Sequence, residues 1–584
     1  MERTRSARIG AALVALKRGR APAAMGGPAQ AAVALLIALA AFLFVVGGAP
    51  LAPTNIAWLS ESDAATNYLG WAFYRDSPWA WPPAANPAYG MDIAGSILMA
   101  DANPLLAMPF KLLSPLLPEP FQYFGWWLLA CFLLQGLFAQ GIAARITPHA
   151  EQRLAITALF LFAPCFLIRI ATPATFHLTL CGQWQILAAF WLYLSPGLRR
   201  RAGGWAALLS VAVLTHPYLL AMVAAIWIAD LLRALLAGRE PPAVVLRGAA
   251  LAIGLPLAIG WASGVFWLAR PAGGAIATMK VEWGFGIYKM NLLSPFDPRG
   301  WSWLLPDLPS RPEEIEGFAY LGLGVLLLAV AAVILSRRAW SAARPRLAHV
   351  PLALALLGFA AFAITPYLAI GLHVTKLPWP EPMIGLGNLF RSSGRFAWPL
   401  VYIAMAGICW AVVQGASRRT ASILLAAAAL IQVGDGSAGW RGYAQTFARS
   451  GPVWPTQLTS PFWDQAGHRY KAVRLAAPRN RLPAYRDIAA WAHRHGLQTD
   501  AVYLARYDGA AFDRMVQLRA QELRTGRLAR DTLWIMDGVP ADVAARMSRR
   551  AGDVIQTIDG VRLFAPDFGQ RPSVTSALAR PARR

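Results

Sequence analysis

The sequence predicts a membrane protein that is mainly α-helical, with about eleven transmembrane helices and a small α/β domain at its C-terminal end. Three observations support this fold class. Hydrophobic residues make up 57% of the 584 residues and charged residues only 14%, with a mean hydropathy of +0.43. Soluble domains are roughly 45–50% apolar and about 25% charged. Apolar runs of spanning length also recur along the chain, and short basic clusters separate them.

The positive charge of the chain is explained by a membrane rather than by nucleic acid. The net charge is +24, but the basic residues are scattered in short clusters between apolar runs. That distribution is the orientation signal of membrane proteins, so we expect membrane lipids around the chain and no nucleic-acid partner. All four cysteines lie inside apolar segments and are interpreted as small core residues.

The chain begins with a basic stretch, residues 1–29, which is predicted to lie in the cytoplasm. The first apolar run, from about Ala31 to Val46, predicts a retained signal-anchor helix, although the small residues of GGAPLA would also suit cleavage of a signal peptide. Ten further runs predict spans near 121–144, 153–171, 176–195, 204–216, 217–236, 245–269, 317–336, 348–371, 396–415 and 420–434. The two runs within 204–236 are separated only by a His-Pro pair, which suits either two crossings or a tight re-entrant turn.

Alternating the side of each span places every short basic cluster on the side of the N-terminus, as the positive-inside rule requires. These clusters are Arg145 with Arg153, 199–201, 233–247, 337–346, and Arg418 with Arg419. The long external segments are then 51–120, 270–316, 372–395 and everything after about Gly434. We therefore predict a polytopic transmembrane domain over 30–435, whose external loop 51–120 carries membrane-surface helices.

The C-terminal part, 436–570, has the composition of a soluble domain and is predicted to lie outside. Its β-rich segments are 470–477, 500–507, 531–537 and 553–558, and helical patterns at 485–495, 511–524 and 541–550 alternate with them. This alternation predicts an α/β layer with parallel strands, and an Asp-Gly pair near the end predicts a hairpin. No glycine-rich phosphate loop precedes these helices, so nucleotide binding has little support. We expect this domain to be a cap or a docking surface. Residues 571–584 are predicted to be a disordered tail.

Asp63 is the leading candidate for catalysis. It follows the first span in SDAATNYLGW, where a carboxylate can approach a lipid head group while apolar neighbours limit water. Such a setting raises a pKa toward the range of a general base. The alternative is that Asp63 caps a surface helix beginning at Ala64, with Tyr68 and Trp71 as interfacial anchors. Tyr68 is also kept as a candidate binding residue.

The same loop contains three further aspartates of unequal interest. Asp101 lies between apolar residues in LMADANPLLA, where an ionised group is costly and is functional by default. The alternative for Asp101 is a turn-forming role before the Asn-Pro pair. Asp92 follows Tyr-Gly-Met and is a weaker candidate for substrate binding, and Asp76 in RDSP is expected to be solvated.

A second group of residues suits an anion. Arg391 and Arg395 lie at the mouth of a span in FRSSGRFAWP, and a pair of guanidinium groups matches phosphate geometry. Lys289, before the apolar MNLL, and His216, between two runs, are further candidates for binding substrate or lipid phosphate. The alternatives are interfacial anchoring for the cations and a structural role for His216, as for His177. No motif specifies a metal, so no cofactor is predicted, and a divalent cation stays an open alternative that no motif supports.

Several segments resemble a family of uncharacterised bacterial multispan proteins, over roughly 55–435. They are SDAATNYLGW, NPAYG, DANPLLA, FQYFGWW, MNLLSPFDP, EGFAYLG and FRSSGRFAWP. More loosely, the plan resembles the GT-C glycosyltransferases, with a cytoplasmic N-terminus, an acidic first external loop and an external C-terminal domain. In that superfamily a first-loop aspartate activates the acceptor or binds an essential ion. The matching residue is Asp63, which is followed by Ala64 rather than by a second acidic residue.

The resemblance implies an inverting glycosyltransferase with a GT-C-like architecture at the periplasmic face of a bacterial inner membrane. Its partners would be a polyprenyl-phosphate sugar donor and an envelope glycan or lipid acceptor. Asp63 would act as the general base, Asp101 would orient a substrate, and Arg391 with Arg395 would hold the lipid phosphate. The rival hypotheses are a transporter or flippase for a lipid-linked envelope molecule, and a non-catalytic scaffold of envelope assembly.

Overall fold

A computed structural model of the chain describes residues 27–93, 95–195, 197–238, 240–266, 279–281, 284–335, 347–504 and 506–569. The predictions for the N-terminal basic residues 1–26, the basic cluster 337–346 and the tail 571–584 lie outside the described residues.

Over the described residues the chain is mainly helical, as the sequence predicts. In chain order the α-helices are α1 (Pro28–Val45), α2 (Ser62–Asp76), α3 (Pro104–Leu112), α4 (Phe124–Ile146), α5 (Ala150–Leu161), α6 (Pro164–Ala171), α7 (Trp184–Leu194), α8 (Leu198–Thr215), α9 (Pro217–Ala237), α10 (Pro242–Ser263), α11 (Leu323–Leu335), α12 (Val350–Ile364), α13 (Glu381–Gly387), α14 (Trp398–Gly415), α15 (Arg418–Trp440), α16 (Tyr443–Ala448), α17 (Phe462–Arg469), α18 (Tyr485–Arg494), α19 (Gly509–Thr525) and α20 (Ala541–Ala545).

Seven of these helices, some with an adjoining turn, are long and apolar enough to cross a membrane. They are α1, α4, α9, α10, Leu347–Ile364, Ser393–Gly415 and α15. The pair α5 and α6 is bent by 43° and gives an eighth candidate if it forms one span, and three shorter apolar helices are Leu178–Leu194, Arg201–Thr215 and α11. Each apolar run predicted from the sequence overlaps one of these elements, but the prediction for 348–371 is too long, because Tyr367–Ile370 forms a strand after the helix has ended. The chain is therefore a multipass membrane protein with seven or eight candidate spans, and eleven crossings stay a prediction.

Local sequence explains where several of these helices begin and end. Five of them, α1, α3, α6, α9 and α10, begin at a proline, whose fixed φ and missing N–H suit the first helical position. Gly238 and Gly264 end α9 and α10 in the left-handed conformation, with φ of 58° and 86°. The uncertain segment 204–236 is a hairpin of two helices, α8 and α9, which meet at His216.

The first loop differs from the surface helix expected for it. The helix α2 begins at Ser62, so Asp63 lies in its first turn and is not its cap, and residues 64–74 are all buried. Tyr68 is only 4% exposed and stacks on Trp454, with ring centroids 5.6 Å apart. The prediction that Tyr68 anchors in a membrane interface is therefore wrong, because α2 is enclosed by the rest of the protein. By contrast, Leu112 and Leu116 near the end of α3 are highly exposed.

The C-terminal part forms a five-stranded mixed sheet. Its strands are β4 (Ala472–Leu475), β5 (Gln498–Thr499), β7 (Thr532–Ile535), β8 (Val554–Ile558) and β9 (Val561–Ala565), in the order β5-β4-β7-β9-β8. The pairs of β4 with β5 and with β7 are parallel, as predicted, whereas β9 is antiparallel to β7 and β8. The predicted hairpin is confirmed: Asp559 and Gly560 connect β8 to β9 with positive φ.

One predicted strand behaves differently. The segment 500–507 leaves the sheet after β5, and its end forms β6 (Arg506–Asp508), which pairs antiparallel with β1 (Met279–Val281) of the polytopic part. A second antiparallel pair, β2 (Tyr367–Ile370) with β3 (His373–Lys376), lies apart from the sheet. The strand prediction at 500–507 is wrong because these residues run along the polytopic part instead of completing the sheet.

The first loop and the C-terminal part are packed against each other. Thr66 and Tyr485 share a hydrogen bond of 3.0 Å between their hydroxyls, and backbone hydrogen bonds join Thr499 to the loop at Ala88 and Gly90. Asp76, which was expected to be solvated, lies 2.9 Å from Nε2 of His493. The C-terminal part is thus docked on the loop that carries the leading candidate residues.

Candidate functional site

A cavity of about 390 Å³ lies where the first loop, the polytopic helices and the C-terminal part meet. The cavity is lined by five residues singled out from the sequence: Asp63, Asp101, His216, Arg391 and Arg395. Distant segments of the chain supply these residues: the start of α2, the loop before α3, the turn between α8 and α9, and the approach to α14. The structure therefore brings together the carboxylates and arginines that the sequence analysis assigned to one reaction.

Asp63 faces this cavity with a free carboxylate. Its side chain has no hydrogen-bond or ion-pair partner among the described residues, and it lies in the first turn of α2, where the helix dipole favours an anion. Burial raises the pKa of this carboxyl, and the neighbouring Glu316 and Asp101 raise it further. His177 and Arg395 oppose the rise. Asp63 is therefore a carboxylate set up to accept a proton.

Asp101 has the opposite environment. Its Oδ2 lies 3.3 Å from Nε2 of His177, and its Oδ1 lies 3.6 Å from Nε2 of His216. Burial alone would raise the pKa of Asp101, but the hydrogen bond from His177, with attraction to both imidazoles and to Arg506, lowers it to about 2. Asp101 is thus held ionised, and it can accept hydrogen bonds without taking a proton.

These three residues are also where a metal ion would bind among the described residues. One ligand atom from each of Asp101, His177 and His216 lies within 4.8 Å of the others. However, Nδ1 of His216 accepts the backbone N–H of Tyr218 at 3.2 Å, so a neutral His216 carries its proton on Nε2, toward Asp101. A ligating histidine normally donates its other ring N–H instead. The hydrogen bonds therefore fit a neutral imidazole whose Nε2–H faces a carboxylate better than they fit a metal ligand.

Arg395 is paired inside the protein. Its Nε lies 3.0 Å from Oε2 of Glu316, and the same oxygen lies 2.6 Å from NH1 of Arg169. Arg169 is fully buried and also donates to the Glu316 carbonyl at 3.0 Å. Burial would raise the pKa of Glu316, but the two guanidinium groups hold it far below its usual range. Part of the charge that the sequence analysis assigned to phosphate binding is therefore used to hold Glu316.

Arg391 connects the polytopic part to the C-terminal part. Its NH1 donates to the Tyr503 hydroxyl at 2.9 Å, and its NH2 donates to the Tyr288 hydroxyl at 3.1 Å. Arg481 and Arg506, both from the C-terminal part, line the same cavity. Arg481 lies over the ring of Tyr503, 5.2 Å from its centroid. The cavity therefore has a cationic wall that comes partly from the C-terminal part.

Three of the predicted binding residues lie elsewhere. Lys289 is buried, with its Nζ 3.0 Å from Glu314 Oε1, and belongs to the protein interior. Asp92 pairs with Arg474 where the first loop meets the C-terminal sheet. Tyr68 packs in the core and does not line the cavity. None of the three lines the cavity, and each contacts another residue of the chain, so their predicted binding roles stay predictions.

The structure adds residues that the sequence analysis did not assign to a site. These are His177, Glu316, Arg169, Arg481 and Arg506. A charged residue inside an apolar run is itself a functional signal, and Arg169 lies within the predicted span 153–171. His177 was considered only as an isolated histidine. For Arg481 and Arg506 the sequence offers no signal, since nothing in the composition of the C-terminal part places it against the first loop.

Comparisons with known proteins identify the family but assign it no activity. A model described as a domain of unknown function, DUF6311, matches residues 35–437. A second model, described as the DUF6311 C-terminal domain, matches residues 462–566. A comparison with curated proteins finds no match.

Proposed function

The chain belongs to the DUF6311 family, and from the geometry of its cavity we propose that it is an integral-membrane glycosyltransferase. It would transfer a sugar from a polyprenyl-phosphate donor to an envelope glycan or lipid acceptor, with inversion at the anomeric carbon. The observation that carries the proposal is that Asp63, Asp101, Arg391 and Arg395 line one cavity. An unpartnered carboxylate beside cationic groups is what such a transfer needs.

The two carboxylates divide the work of the proposed reaction. Environments that push two pKa values apart separate the group that exchanges a proton from the group that stays charged. Asp63, with its raised pKa, accepts the proton of the acceptor hydroxyl. Asp101, with its lowered pKa, stays ionised and orients substrate hydroxyls. The general-base contribution of Asp63 is expected to be about 10²–10⁴-fold.

The proposed step is a single displacement. The acceptor oxygen forms a bond to the anomeric carbon as Asp63 takes its proton, and the bond from that carbon to the donor phosphate oxygen breaks. The phosphate leaves with the electron pair of that bond. Cationic groups of the cavity wall, Arg391 among them, offset the negative charge that grows on this phosphate.

Eleven crossings and a GT-C-like architecture are part of the same proposal. The hydrogen bond between Thr66 and Tyr485 requires the first loop and the C-terminal part to lie on one side of the membrane. The number of crossings between them must then be even. Six long helices follow α1, and the bent pair with the three shorter helices brings the number to ten, which is even. We propose that this side is the periplasmic face of an inner membrane.

The test is replacement of Asp63 by Asn. In a host that carries the gene, Asp63→Asn should lower transfer by about 10²–10⁴-fold, read as loss of a surface glycan in mass spectrometry. Asp76→Asn is the matched control, because it is the same change at the other end of α2, away from the cavity. An unchanged glycan profile in the Asp63 variant, at normal protein level, would show that Asp63 is not the base.

The pH dependence gives a second readout of the same residue. Transfer by the wild type should rise with pH through the pKa of Asp63, which burial raises above the usual aspartate value, because only the ionised form accepts a proton. Since the folded-state pKa is raised, stability falls as the pH rises from the unfolded to the folded value. Asp63→Asn should therefore raise the thermal midpoint at neutral pH while lowering transfer. A lower midpoint would contradict the unpartnered, buried carboxylate.

A transporter for a lipid-linked molecule remains the second candidate, because one observation favours it. The helix pair α5 and α6 is broken, and Arg169 in α6 is buried against Glu316, as in transporters with charged groups at discontinuous helices. Reconstitution in proteoliposomes separates the two candidates. Sugar transfer without movement of the lipid supports the enzyme, and movement without transfer supports the transporter.

A further inference from the structure

We propose that Arg481 and Arg506 of the C-terminal part form the phosphate-binding wall of the cavity. The ligand class is a phosphate ester carried by a lipid. That this phosphate is carried by a lipid, and that it belongs to a sugar donor, rests on the proposed function, whereas the phosphate site itself does not. The C-terminal part would then be part of the binding site and not a cap over it.

The arginines that line the cavity differ in their partners. Four arginines line the cavity: Arg391, Arg395, Arg481 and Arg506. Arg395 is held by Glu316, at 3.0 Å. Arg481 and Arg506 have no carboxylate within ion-pair distance among the described residues. These two cations therefore have charge available for a ligand.

Hydrogen bonds connect the backbone around Arg481 to the segment that leads to Arg506. Arg481 has a φ of 69°, a conformation that a residue with a side chain rarely adopts, and its N–H donates to the Val502 carbonyl at 3.2 Å. The side-chain amide of Asn480 makes two hydrogen bonds to the backbone of Leu504: its oxygen accepts the Leu504 N–H at 3.0 Å, and its nitrogen donates to the Leu504 carbonyl at 2.8 Å. This loop is held by the segment that leads to Arg506, so the backbone positions of the two arginines are linked.

The segment that carries Arg506 is also bonded to the polytopic part. Arg506 begins β6, which pairs with β1, and its NH2 donates to the Leu389 carbonyl at 3.3 Å. Arg506 lines the same cavity as Asp101, and its charge also favours the ionised form of Asp101. A guanidinium group in such a position suits a phosphate, which accepts two parallel hydrogen bonds from it.

The test measures binding of a short polyprenyl phosphate to the purified full chain. Farnesyl phosphate is the probe, farnesol is the same chain without phosphate, and inorganic phosphate tests the head group without the lipid. We expect the wild type to bind farnesyl phosphate and not farnesol. Binding of inorganic phosphate with equal affinity would identify a free anion, not a lipid phosphate, as the ligand and would overturn the proposed class.

Variants then assign the residues. Arg481→Gln and Arg506→Gln should each weaken farnesyl phosphate binding by about ten-fold or more, since each removes charge-assisted hydrogen bonds. Arg479→Gln is the matched control, because Arg479 lies on the same loop but pairs with Asp537 outside the cavity. Arg506→Lys keeps the charge and should recover part of the affinity. Unchanged affinity in both Gln variants, with normal thermal midpoints, would overturn the inference.

The result is separable from the proposed function. Asp63→Asn should abolish transfer and keep farnesyl phosphate binding, because Asp63 is not part of the cationic wall. If Asp63→Asn leaves transfer intact, the catalytic assignment is wrong while the binding data still decide the phosphate site. If the arginine variants bind normally, the phosphate site is wrong whatever Asp63 does.

Discussion

Glu316 holds together the charged residues behind the cavity. Its carboxylate is 13% exposed and pairs with both Arg169 and Arg395, from two different apolar segments. Removing one member of a buried ion network leaves the others without a counter-charge, which costs more than the network contributes as a whole. The position of Arg395 at the cavity therefore depends on a residue that is not expected to react.

We predict that Glu316→Gln lowers the stability of the protein by about 3 kcal/mol, because two buried guanidinium groups lose their shared carboxylate. The measurement is thermal unfolding in detergent, followed by tryptophan fluorescence. Glu313→Gln is the control, since Glu313 lines the same cavity but is exposed. Equal midpoints for the two variants would mean that the network does not hold Arg395 in place.

At the level of single residues, the sequence identifies the candidate residues that line the cavity better than it identifies their partners. Asp63, Asp101, Arg391 and Arg395 are recognisable because each is a charged residue next to an apolar span. The segment PEEIEG contains three glutamates, and three-dimensional packing decides that Glu316 pairs with Arg169. No local sequence pattern encodes this choice. For Lys289 the sequence also fails to predict the partner. Its sequence context suits binding of an anion, but in the structure its charge is neutralised by the buried Glu314.

Among the elements, the hairpin of α8 and α9 positions His216. The two helices are joined near their other ends by Asp230, which is fully buried. Its Oδ2 accepts from Trp205 Nε1 at 2.9 Å and pairs with Arg201 at 3.2 Å, and its Oδ1 pairs with Arg233. The ion network at one end therefore keeps the helices together, and the turn at the other end carries the histidine that faces Asp101.

We predict that Asp230→Ala destabilises the protein by about 3–5 kcal/mol, because it leaves the buried Arg201 without a counter-ion. Asp542→Ala is the control: Asp542 pairs with Arg546 on an exposed helix, where an ion pair contributes about 1 kcal/mol or less. The measurement is the midpoint of thermal unfolding for each variant. A similar small loss in both would contradict the role of Asp230 as the link between α8 and α9.

The C-terminal sheet shows which features of an element are local. The β8–β9 hairpin is predictable because an Asp-Gly pair adopts the positive φ that its turn requires. The segment 500–507 is not, because its β-rich composition suits a strand in any sheet. Pairing with β1 is decided by the contact between the C-terminal part and the polytopic part, which the sequence does not display.

For the molecule as a whole, hydropathy predicts the membrane-protein class and the apolar segments. The cavity forms only through the packing of distant segments, which hydropathy does not predict. Every predicted run forms an apolar helix or a bent pair, since the cost of exposing backbone polar groups to lipid leaves few alternatives. Hydropathy does not fix the number of crossings, because α7, α8 and α11 are shorter than a typical span. The meeting of the first loop with the C-terminal part follows from their contacts and not from hydropathy.

We predict that reporter fusions will place the first loop and the C-terminal part on the same side, opposite to the basic clusters. Alkaline phosphatase fused after residue 569, or inserted in the loop after α3, should be active, because it needs the periplasm to fold. The same enzyme inserted at Gly238, between α9 and α10, should be inactive. Activity at Gly238 would reverse the proposed orientation.

The docking of the C-terminal part has a consequence for the order of synthesis. Arg481, Tyr503 and Arg506 are translated after the last candidate span, yet they complete a cavity that Asp63 opens near the start of the chain. A nascent chain therefore carries the carboxylates long before it carries the whole cavity wall. On the proposed topology and phosphate site, ligand binding would begin only when the final hundred or so residues have crossed the membrane and folded. Premature termination anywhere before β6 would thus yield an inserted but inert protein.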